Sequence, residues 1–178
     1  RENNRPKILY AGSSTHYGKS DNNLGDLSLI YDLIVNTTED FDWVYVGGAP
    51  EKIKELGVEV IDWVHSIYEY PRIISSLNCD FGIAPLLDSE FNKSKSNIKV
   101  LEYCSIGAIP LTSIIEPYKE SPGIFLKNDW KENKEIIIET FTNKAVREEI
   151  LDKCREYRDK NWLEDNISVY KDLLEIKD

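Results

Sequence analysis

The stretch that decides the fold spans residues 79–113 and reads CDFGIAPLLDSEFNKSKSNIKVLEYCSIGAIPLTS. Its apolar runs at both ends predict β-strands, and its polar middle gives way to apolar residues at helical spacing. We therefore interpret it as a strand, a polar loop, a helix and a second strand. Four polar side chains collect where the loop becomes the helix: Lys95, Ser96, Lys99 and Glu102. We expect any ligand site of the chain to include this junction.

Apolar runs and helical patterns alternate along the rest of the chain. Strands are predicted at Lys7–Ala11 and at residues 41–46, 58–64, 79–86 and 108–113, with 123–126 as a candidate sixth. Helices are predicted at residues 24–34, 50–57, 71–77, 95–107 and from 129 to the C-terminus. Such alternation predicts right-handed βαβ units. The expected fold is α/β: a single Rossmann-like domain of residues 1–178, with a mostly parallel sheet, helices on both faces and a helical C-terminal tail.

The composition limits the classes of partner. The net charge of -10 argues against nucleic acid or an anionic membrane surface as the main partner. The three cysteines are odd in number and widely spaced, which favours reduced buried thiols over a disulfide framework. Two histidines, both far from any cysteine pair, do not suggest zinc, and we expect no metal site.

The termini and the hydropathy bear on location. No stretch approaches the roughly 20 apolar residues that a membrane span needs, and no signal peptide opens the sequence. We therefore expect a cytoplasmic protein without a transmembrane segment. Because the sequence starts at Arg1 and contains no methionine, we also expect it to be part of a longer protein.

Two polar loops follow predicted strands, at residues 13–23 and 88–96. In parallel sheets ligands bind beyond the carboxyl ends of the strands, so both loops should face one crevice. The first loop offers hydroxyl, imidazole and ammonium groups after Gly12, namely Ser13, Ser14, His16 and Lys19. A plain polar turn is the alternative, since the loop matches neither the G-x-G-x-x-G pattern nor a Walker A sequence.

The second loop leads into a helix with one charged face. Lys95, Lys99 and Glu102 share that face by spacing, while Val100 and Cys104 point towards the sheet. The alternative is a solvated face on which Lys99 pairs with Glu102. A cation in the first helical turn is disfavoured unless an anion binds there, and this would place an anion beside Lys95. The neighbouring Ser94, Ser96 and Asn97 add hydrogen-bond donors that suit a phosphate group.

The segment KSNIKVLEYCSIGAIPLTS, preceded by DFGIAPLLDSEFN, resembles the nucleotide-sugar-binding half of GT-B fold glycosyltransferases of the group 1 type. The opening ILYAGSSTH is similar to the first strand and loop of that half, so the resemblance covers nearly the whole chain. It implies a C-terminal, donor-binding domain that takes a UDP- or GDP-sugar and no cofactor besides. It also implies that an acceptor glycan, lipid or protein is bound through an N-terminal domain, absent before Arg1, with sugar transfer that retains configuration.

The resemblance assigns roles to individual residues. Glu102 matches the second glutamate of the family's E-x7-E motif, which binds the donor ribose. Residues 64–67 match the segment that holds the base, with Val64, His65 and Ile67 as contacts. Gly12 matches the glycine that lets the diphosphate approach. Two cations would stabilise the diphosphate as it leaves, and donors at the helix start would bind it: Lys19, Lys95, Ser96 and Asn97.

Two positions depart from the family pattern. Ser94 stands where the first glutamate of E-x7-E contacts the donor sugar, and Ser13 stands where an arginine is often found. A non-catalytic α/β binding or interaction module with the same fold is therefore the alternative. A flavodoxin-like or response-regulator-like domain ranks lower, because the first strand is not followed by the paired acidic residues of a phosphoacceptor site.

Overall fold

A computed structural model of the chain describes residues 5–12 and 24–162. The described residues form a sheet of six parallel strands in the order β3-β2-β1-β4-β5-β6. The strands are β1 (Lys7–Ala11), β2 (Asp42–Val46), β3 (Glu59–Ile61), β4 (Phe81–Ala84), β5 (Ile109–Thr112) and β6 (Ile124–Phe125). The predicted α/β fold is confirmed, and every predicted strand is present within about three residues of its expected bounds.

Helices connect the strands and continue after the last one. They are α1 (Tyr31–Val35), α2 (Glu51–Lys54), α3 (Glu69–Ser76), α4 (Glu90–Lys93), α5 (Ile98–Ser105), α6 (Trp130–Thr142) and α7 (Lys144–Lys160). Short 3-10 helices at Gly25–Leu29 and Glu116–Tyr118 complete the connections. Over the part of the chain that the structure describes, no helix has the length and apolar composition needed to cross a membrane.

Three details differ from the sequence prediction. Strand β3 ends at Ile61 rather than at residue 64, because its partner β2 ends at Val46, the residue that pairs with Ile61. The polar loop after β4 contains the unpredicted helix α4, whose N-cap Ser89 accepts a hydrogen bond from the Asn92 N–H. The long helix predicted from residue 129 is interrupted at Asn143, which caps α7 by accepting from the Val146 N–H. The predicted last helical stretch, residues 163–176, lies outside the described residues.

The core has two layers because strand side chains alternate between the faces of the sheet. Ile8 and Tyr10 of β1 lie on the face that packs against α1, α2 and α6. Leu9 and Ala11 lie on the opposite face, which packs against α3, α5 and α7. Both layers contain residues with almost no exposed surface, so both faces of the sheet are covered as predicted.

The strand order opens a crevice at the carboxyl ends of the strands. Strand β1 pairs in parallel with β2 on one side and with β4 on the other. The chain leaves β1 towards β2 and β3, and later leaves β4 in the opposite direction towards β5 and β6. Connections that diverge in this way open a crevice beyond the carboxyl ends of the strands, where ligands bind in such folds.

Candidate functional site

A cleft of about 500 Å³ lies at the carboxyl ends of β1 and β2, between the loop after β3 and helix α5. Five of the predicted site residues line it: Gly12, Val64, His65, Ile67 and Glu102. These residues are separated by up to ninety positions in sequence, and the parallel sheet brings them together. The cleft therefore joins the positions that the sequence resemblance assigns to the base, the ribose and the approach of the diphosphate.

Gly12 forms part of the cleft floor immediately after β1. Its N–H donates to the Val46 carbonyl at 3.1 Å, which extends the pairing of β1 with β2 by one residue. A Cβ atom at this position would lie 2.6 Å from the ring of Tyr10. A larger residue would therefore have to displace a buried tyrosine, and this explains why a glycine stands where the backbone meets the cleft.

The loop after β3 forms one wall of the cleft, and the side chain of Ser66 within this loop stabilises its conformation. Ser66 Oγ accepts hydrogen bonds from the N–H groups of Tyr68 at 3.3 Å and Glu69 at 3.2 Å. These bonds satisfy donors at the start of α3, as a capping residue does. Val64, His65 and Ile67, which were predicted to contact the base, line the cleft on this side. The indole of Trp63, which the sequence prediction missed, lines the same wall and is 53% exposed.

Glu102 projects from α5 into the opposite wall and has two hydrogen-bonding partners. Its Oε2 atom accepts from Lys99 Nζ at 2.7 Å and from the Tyr70 hydroxyl at 3.0 Å. Lys99 Nζ also donates to the Tyr70 hydroxyl oxygen at 3.0 Å, so each of these three residues is hydrogen-bonded to the other two. The pairing of Lys99 with Glu102 was foreseen as an alternative, whereas Tyr70 was not identified from the sequence.

The Tyr70 hydroxyl is the hydrogen-bond donor to Glu102 in this network. Burial of its side chain raises the pKa of Tyr70 well above the usual value, and the negative charge of Glu102 and the hydrogen bond to it raise the pKa further. The phenol therefore keeps its proton at neutral pH and donates it to Glu102. The aromatic ring also lies under the Lys99 ammonium, with 5.3 Å between Nζ and the ring centroid.

The predicted position of Lys95 in the first turn of the helix is wrong. Helix α5 begins at Ile98 with Asn97 as its N-cap, so Lys95 lies in the connection from α4 and does not share a helix face with Lys99 and Glu102. The helical register is interrupted because Ser94 terminates α4, with its hydroxyl donating to the Glu90 carbonyl at 3.0 Å. The Lys95 ammonium lies 3.5 Å from Asp26 Oδ2 and 5.1 Å from the Phe91 ring centroid.

Asp26 anchors the second polar loop and was also missed by the sequence prediction. It is only 4% exposed, and its Oδ1 atom accepts from the Leu87 N–H at 2.9 Å and from Asn92 Nδ2 at 2.8 Å. These contacts join the connection after β1 to the loop after β4. A signal was present in the sequence, since Asp26 is an acidic residue between the apolar positions Leu24 and Leu27.

The start of α5 is held from the C-terminal helix. Asn97 Nδ2 donates to the hydroxyl of Tyr157, on α7, at 2.6 Å. Ser96 precedes Asn97 in the same connection, so these two predicted diphosphate contacts lie beyond the carboxyl end of β4 rather than in the lining of the cleft. The other predicted residues of the diphosphate region lie outside the described part of the chain: Ser13, Ser14, His16 and Lys19.

The crevice continues past this cleft towards β6. A wider, open region of about 950 Å³ lies at the carboxyl ends of β4, β5 and β6. Its charged lining residues are Asp32, Asp88, Lys127, Asp129, Lys131 and Glu132. Within residues 5–12 and 24–162, no three His, Cys, Asp or Glu side chains are grouped so that they could hold a metal ion.

No protein-family model and no curated protein sequence matches this chain. Solved structures do match over almost its whole length. HepE from Anabaena, in complex with UDP and glucose, has a TM-score of 0.68 at 12% identity over 97% of this chain and 49% of its own. A glycosyltransferase from Rickettsia africae has a TM-score of 0.66 at 16% identity, covering 98% of this chain and 49% of its own.

A third match is the catalytic domain of starch synthase IV from Arabidopsis thaliana, bound to ADP and acarbose. It has a TM-score of 0.64 at 12% identity and covers 97% of this chain and 38% of its own. The chain thus spans half or less of the length of the structures that it matches. At such identities the likeness establishes the fold alone, and it confirms the expected Rossmann-like α/β fold, which each of these structures contains within about half of its chain or less.

Proposed function

We propose that the chain binds a nucleoside-diphosphate sugar and is the donor-binding half of a glycosyltransferase. The observation that carries this proposal is that Gly12, Val64, His65 and Glu102, which the sequence resemblance assigns to different parts of one nucleotide, line a single cleft. The shared fold supports it, since HepE is bound to UDP and glucose and starch synthase IV is bound to ADP.

The nucleotide would lie across the carboxyl ends of the first three strands. The base would contact the wall formed by Val64, His65 and Ile67, and Glu102 would accept a hydrogen bond from the ribose. The diphosphate would then extend past Gly12 towards the connection before α5. Its predicted contacts there are Ser13, Ser14, His16, Lys19, Lys95, Ser96 and Asn97.

The chemistry proposed for this half is stabilisation of a leaving group. The acceptor oxygen would bond to the anomeric carbon of a hexose on the same face from which the diphosphate oxygen departs, as the bond to that oxygen breaks. Negative charge develops on the departing nucleoside diphosphate, and cations held in place stabilise such charge. We assign that role to Lys19 and Lys95. The acceptor, and the group that takes its proton, would belong to a second, N-terminal domain, and the transfer would retain the anomeric configuration.

A non-catalytic binding module is the second candidate, and Ser94 is the observation that favours it. The family's glutamate at this position contacts the donor sugar, whereas the Ser94 hydroxyl donates to the Glu90 carbonyl within its own helix turn. A module of this kind would bind nucleotide or a protein partner without transferring sugar. Turnover of a nucleotide sugar by a protein that contains both halves would exclude it.

Calorimetry with UDP, GDP and ADP on the purified chain tests the proposal. We expect at least one of them to bind, and Glu102→Ala to weaken that binding by roughly tenfold or more, the usual effect of losing a hydrogen bond to a charged group. Glu149→Ala is the matched control, because Glu149 is an exposed glutamate of α7 paired with Lys153. Failure of all three nucleotides to bind at millimolar concentration would contradict the proposal.

A further inference from the structure

We propose that Tyr70 and Lys99 are positioning residues that hold one oxygen of Glu102, so that a bound ribose is recognised through the other oxygen alone. This inference rests on the proposed function and specifies how the nucleotide is read. In the simplest arrangement, the two ribose hydroxyls would each donate to a different oxygen of the carboxylate. The geometry around Glu102 argues against that arrangement.

The two oxygens of Glu102 differ in their surroundings. Oε2 accepts two hydrogen bonds, from Lys99 Nζ at 2.7 Å and from the Tyr70 hydroxyl at 3.0 Å. A carboxylate oxygen has two lone-pair sites, so these bonds use the capacity of Oε2. Among the described residues, the side-chain hydrogen bonds that Glu102 accepts both end on Oε2. Oε1 is therefore the atom that can accept from a ligand in the cleft.

The network also fixes the direction of the Tyr70 hydroxyl hydrogen. Lys99 Nζ donates to the Tyr70 oxygen at 3.0 Å, so that oxygen acts as an acceptor towards Lys99. The single phenolic hydrogen is then directed at Glu102. The raised pKa of Tyr70 is consistent with this, since the hydrogen stays in place at neutral pH. Only 24% of the Glu102 side chain is exposed. The positive charge of Lys99 offsets the cost of burying this carboxylate in the wall of the cleft.

The contact joins two elements that bind different parts of a nucleotide. Tyr70 lies on α3, directly after the loop that we assign to the base, whereas Lys99 and Glu102 lie on α5. Both Tyr70 and Glu102 also line the cleft. The hydrogen bond between them therefore sets the distance between the base wall and the ribose acceptor.

The test compares ribose-containing with ribose-modified nucleotides. UDP, GDP and ADP, and the 2′,3′-dideoxy form of each, are titrated into the purified chain and the ratio of the two dissociation constants is measured. We expect the unmodified chain to prefer the ribose form by roughly tenfold or more, because a hydrogen bond to a charged acceptor is lost in the dideoxy form. Tyr70→Phe keeps the ring and removes only the hydroxyl, and Lys99→Met keeps the aliphatic stem.

We expect both substitutions to reduce the preference to within about threefold, because a carboxylate that is no longer held discriminates less well. A purely structural effect on the cleft would weaken both nucleotides alike and leave the ratio unchanged. Matched controls are Tyr31→Phe on α1 and Lys153→Met on α7, neither of which lines the cleft, and both should keep the full preference.

The outcomes separate this inference from the proposed function. Binding of a nucleotide with an unchanged preference in Tyr70→Phe and Lys99→Met would overturn the positioning role and leave the proposed function standing. Absence of nucleotide binding by the unmodified chain would overturn both. Collapse of the preference in both variants, with the controls unaffected, would establish the positioning role.

Discussion

Gly47 lies so close to Gly12 that a Cβ atom on Gly47 would be 2.0 Å from the Gly12 carbonyl oxygen. Gly47 also has a φ angle of +121°, a conformation that residues with side chains rarely adopt. Its N–H donates to the Ile61 carbonyl at 2.9 Å, so the position is held from the β3 side as well. The ends of β1, β2 and β3 can therefore converge at the floor of the cleft only if this residue is glycine.

Gly47→Ala should lower the free energy of unfolding by more than about 2 kcal/mol, since it adds backbone strain to a clash with an atom of the main chain. Urea denaturation measures the change. Gly57→Ala is the control: its φ is +71°, but nothing lies within 4 Å of the added carbon. That substitution should cost about 1 kcal/mol, the strain of the left-handed conformation alone. Equal losses in the two variants would contradict the close approach of Gly47 to Gly12.

The buried carboxylate of Asp26 should stabilise the loop after β4. Asp26→Ala removes the side-chain acceptor of the Leu87 N–H and one of the two acceptors of the Asn92 amide, and it removes a charged group 3.5 Å from the Lys95 ammonium. We expect a loss of about 2 to 4 kcal/mol in the free energy of unfolding. Hydrogen exchange should also accelerate at the Leu87 amide.

Asp88→Ala is the control for that variant, because Asp88 belongs to the same loop and pairs with Lys93 while its side chain is 80% exposed. We expect it to cost less than about 1 kcal/mol. A similar, small loss for Asp26→Ala would show that the loop does not depend on Asp26.

The sequence predicted the strands well because the central ones, β1, β2, β4 and β5, are short apolar runs that are mostly buried. Gly12, Val64 and Glu102 lie in one cleft, as expected, since the order of strands and helices determines which loops meet at the carboxyl ends of the strands. Tyr70 and Asp26 were missed for a physical reason. Their importance comes from contacts that span 32 residues, to Glu102, and 61 residues, to Leu87. Local spacing does not identify the partners in such contacts, although an acidic residue between the apolar positions Leu24 and Leu27 marked Asp26 as unusual.

The error at Lys95 has a different origin. Helical periodicity was extended backwards from Lys99 through a segment that contains Ser94 and Ser96, which end one helix and precede the next. Serine and asparagine compete for backbone hydrogen bonds and favour helix ends. That preference was a local signal for a break between α4 and α5, and it outweighed the spacing of the charged residues.

High pH should destabilise the fold because several tyrosine hydroxyls are buried, and burial disfavours the charged phenolate form. Burial is the main cause that raises the pKa of Tyr10, Tyr70, Tyr103 and Tyr118. Above about pH 10, where tyrosines of the unfolded chain lose their protons, the folded state binds more protons. The free energy of unfolding should then fall by up to about 1.4 kcal/mol per pH unit for each such tyrosine.

Circular dichroism and phenolate absorbance, recorded together during an alkaline titration, check this expectation. The buried tyrosines should ionise only as the secondary structure is lost, whereas the stability they contribute should be complete below pH 10. Tyr70→Phe removes one of the four groups and should reduce the slope of stability against pH by about 1.4 kcal/mol per unit. Ionisation of all the tyrosines in a chain that remains folded would contradict their burial.

Trp63 should report which part of the crevice the nucleotide occupies. It lines the cleft beside Val64 and is 53% exposed, whereas Trp130 lines the wider region near β6. A base placed against the loop after β3 comes close to the Trp63 indole, so nucleotide binding should quench tryptophan fluorescence. Trp63→Phe should abolish the quenching while keeping an aromatic ring in the wall, and affinity should change by less than about threefold. Trp130→Phe should leave the quenching intact. The reverse pattern, with quenching lost only in Trp130→Phe, would place the nucleotide at the carboxyl ends of β4 to β6 and would separate it from Glu102.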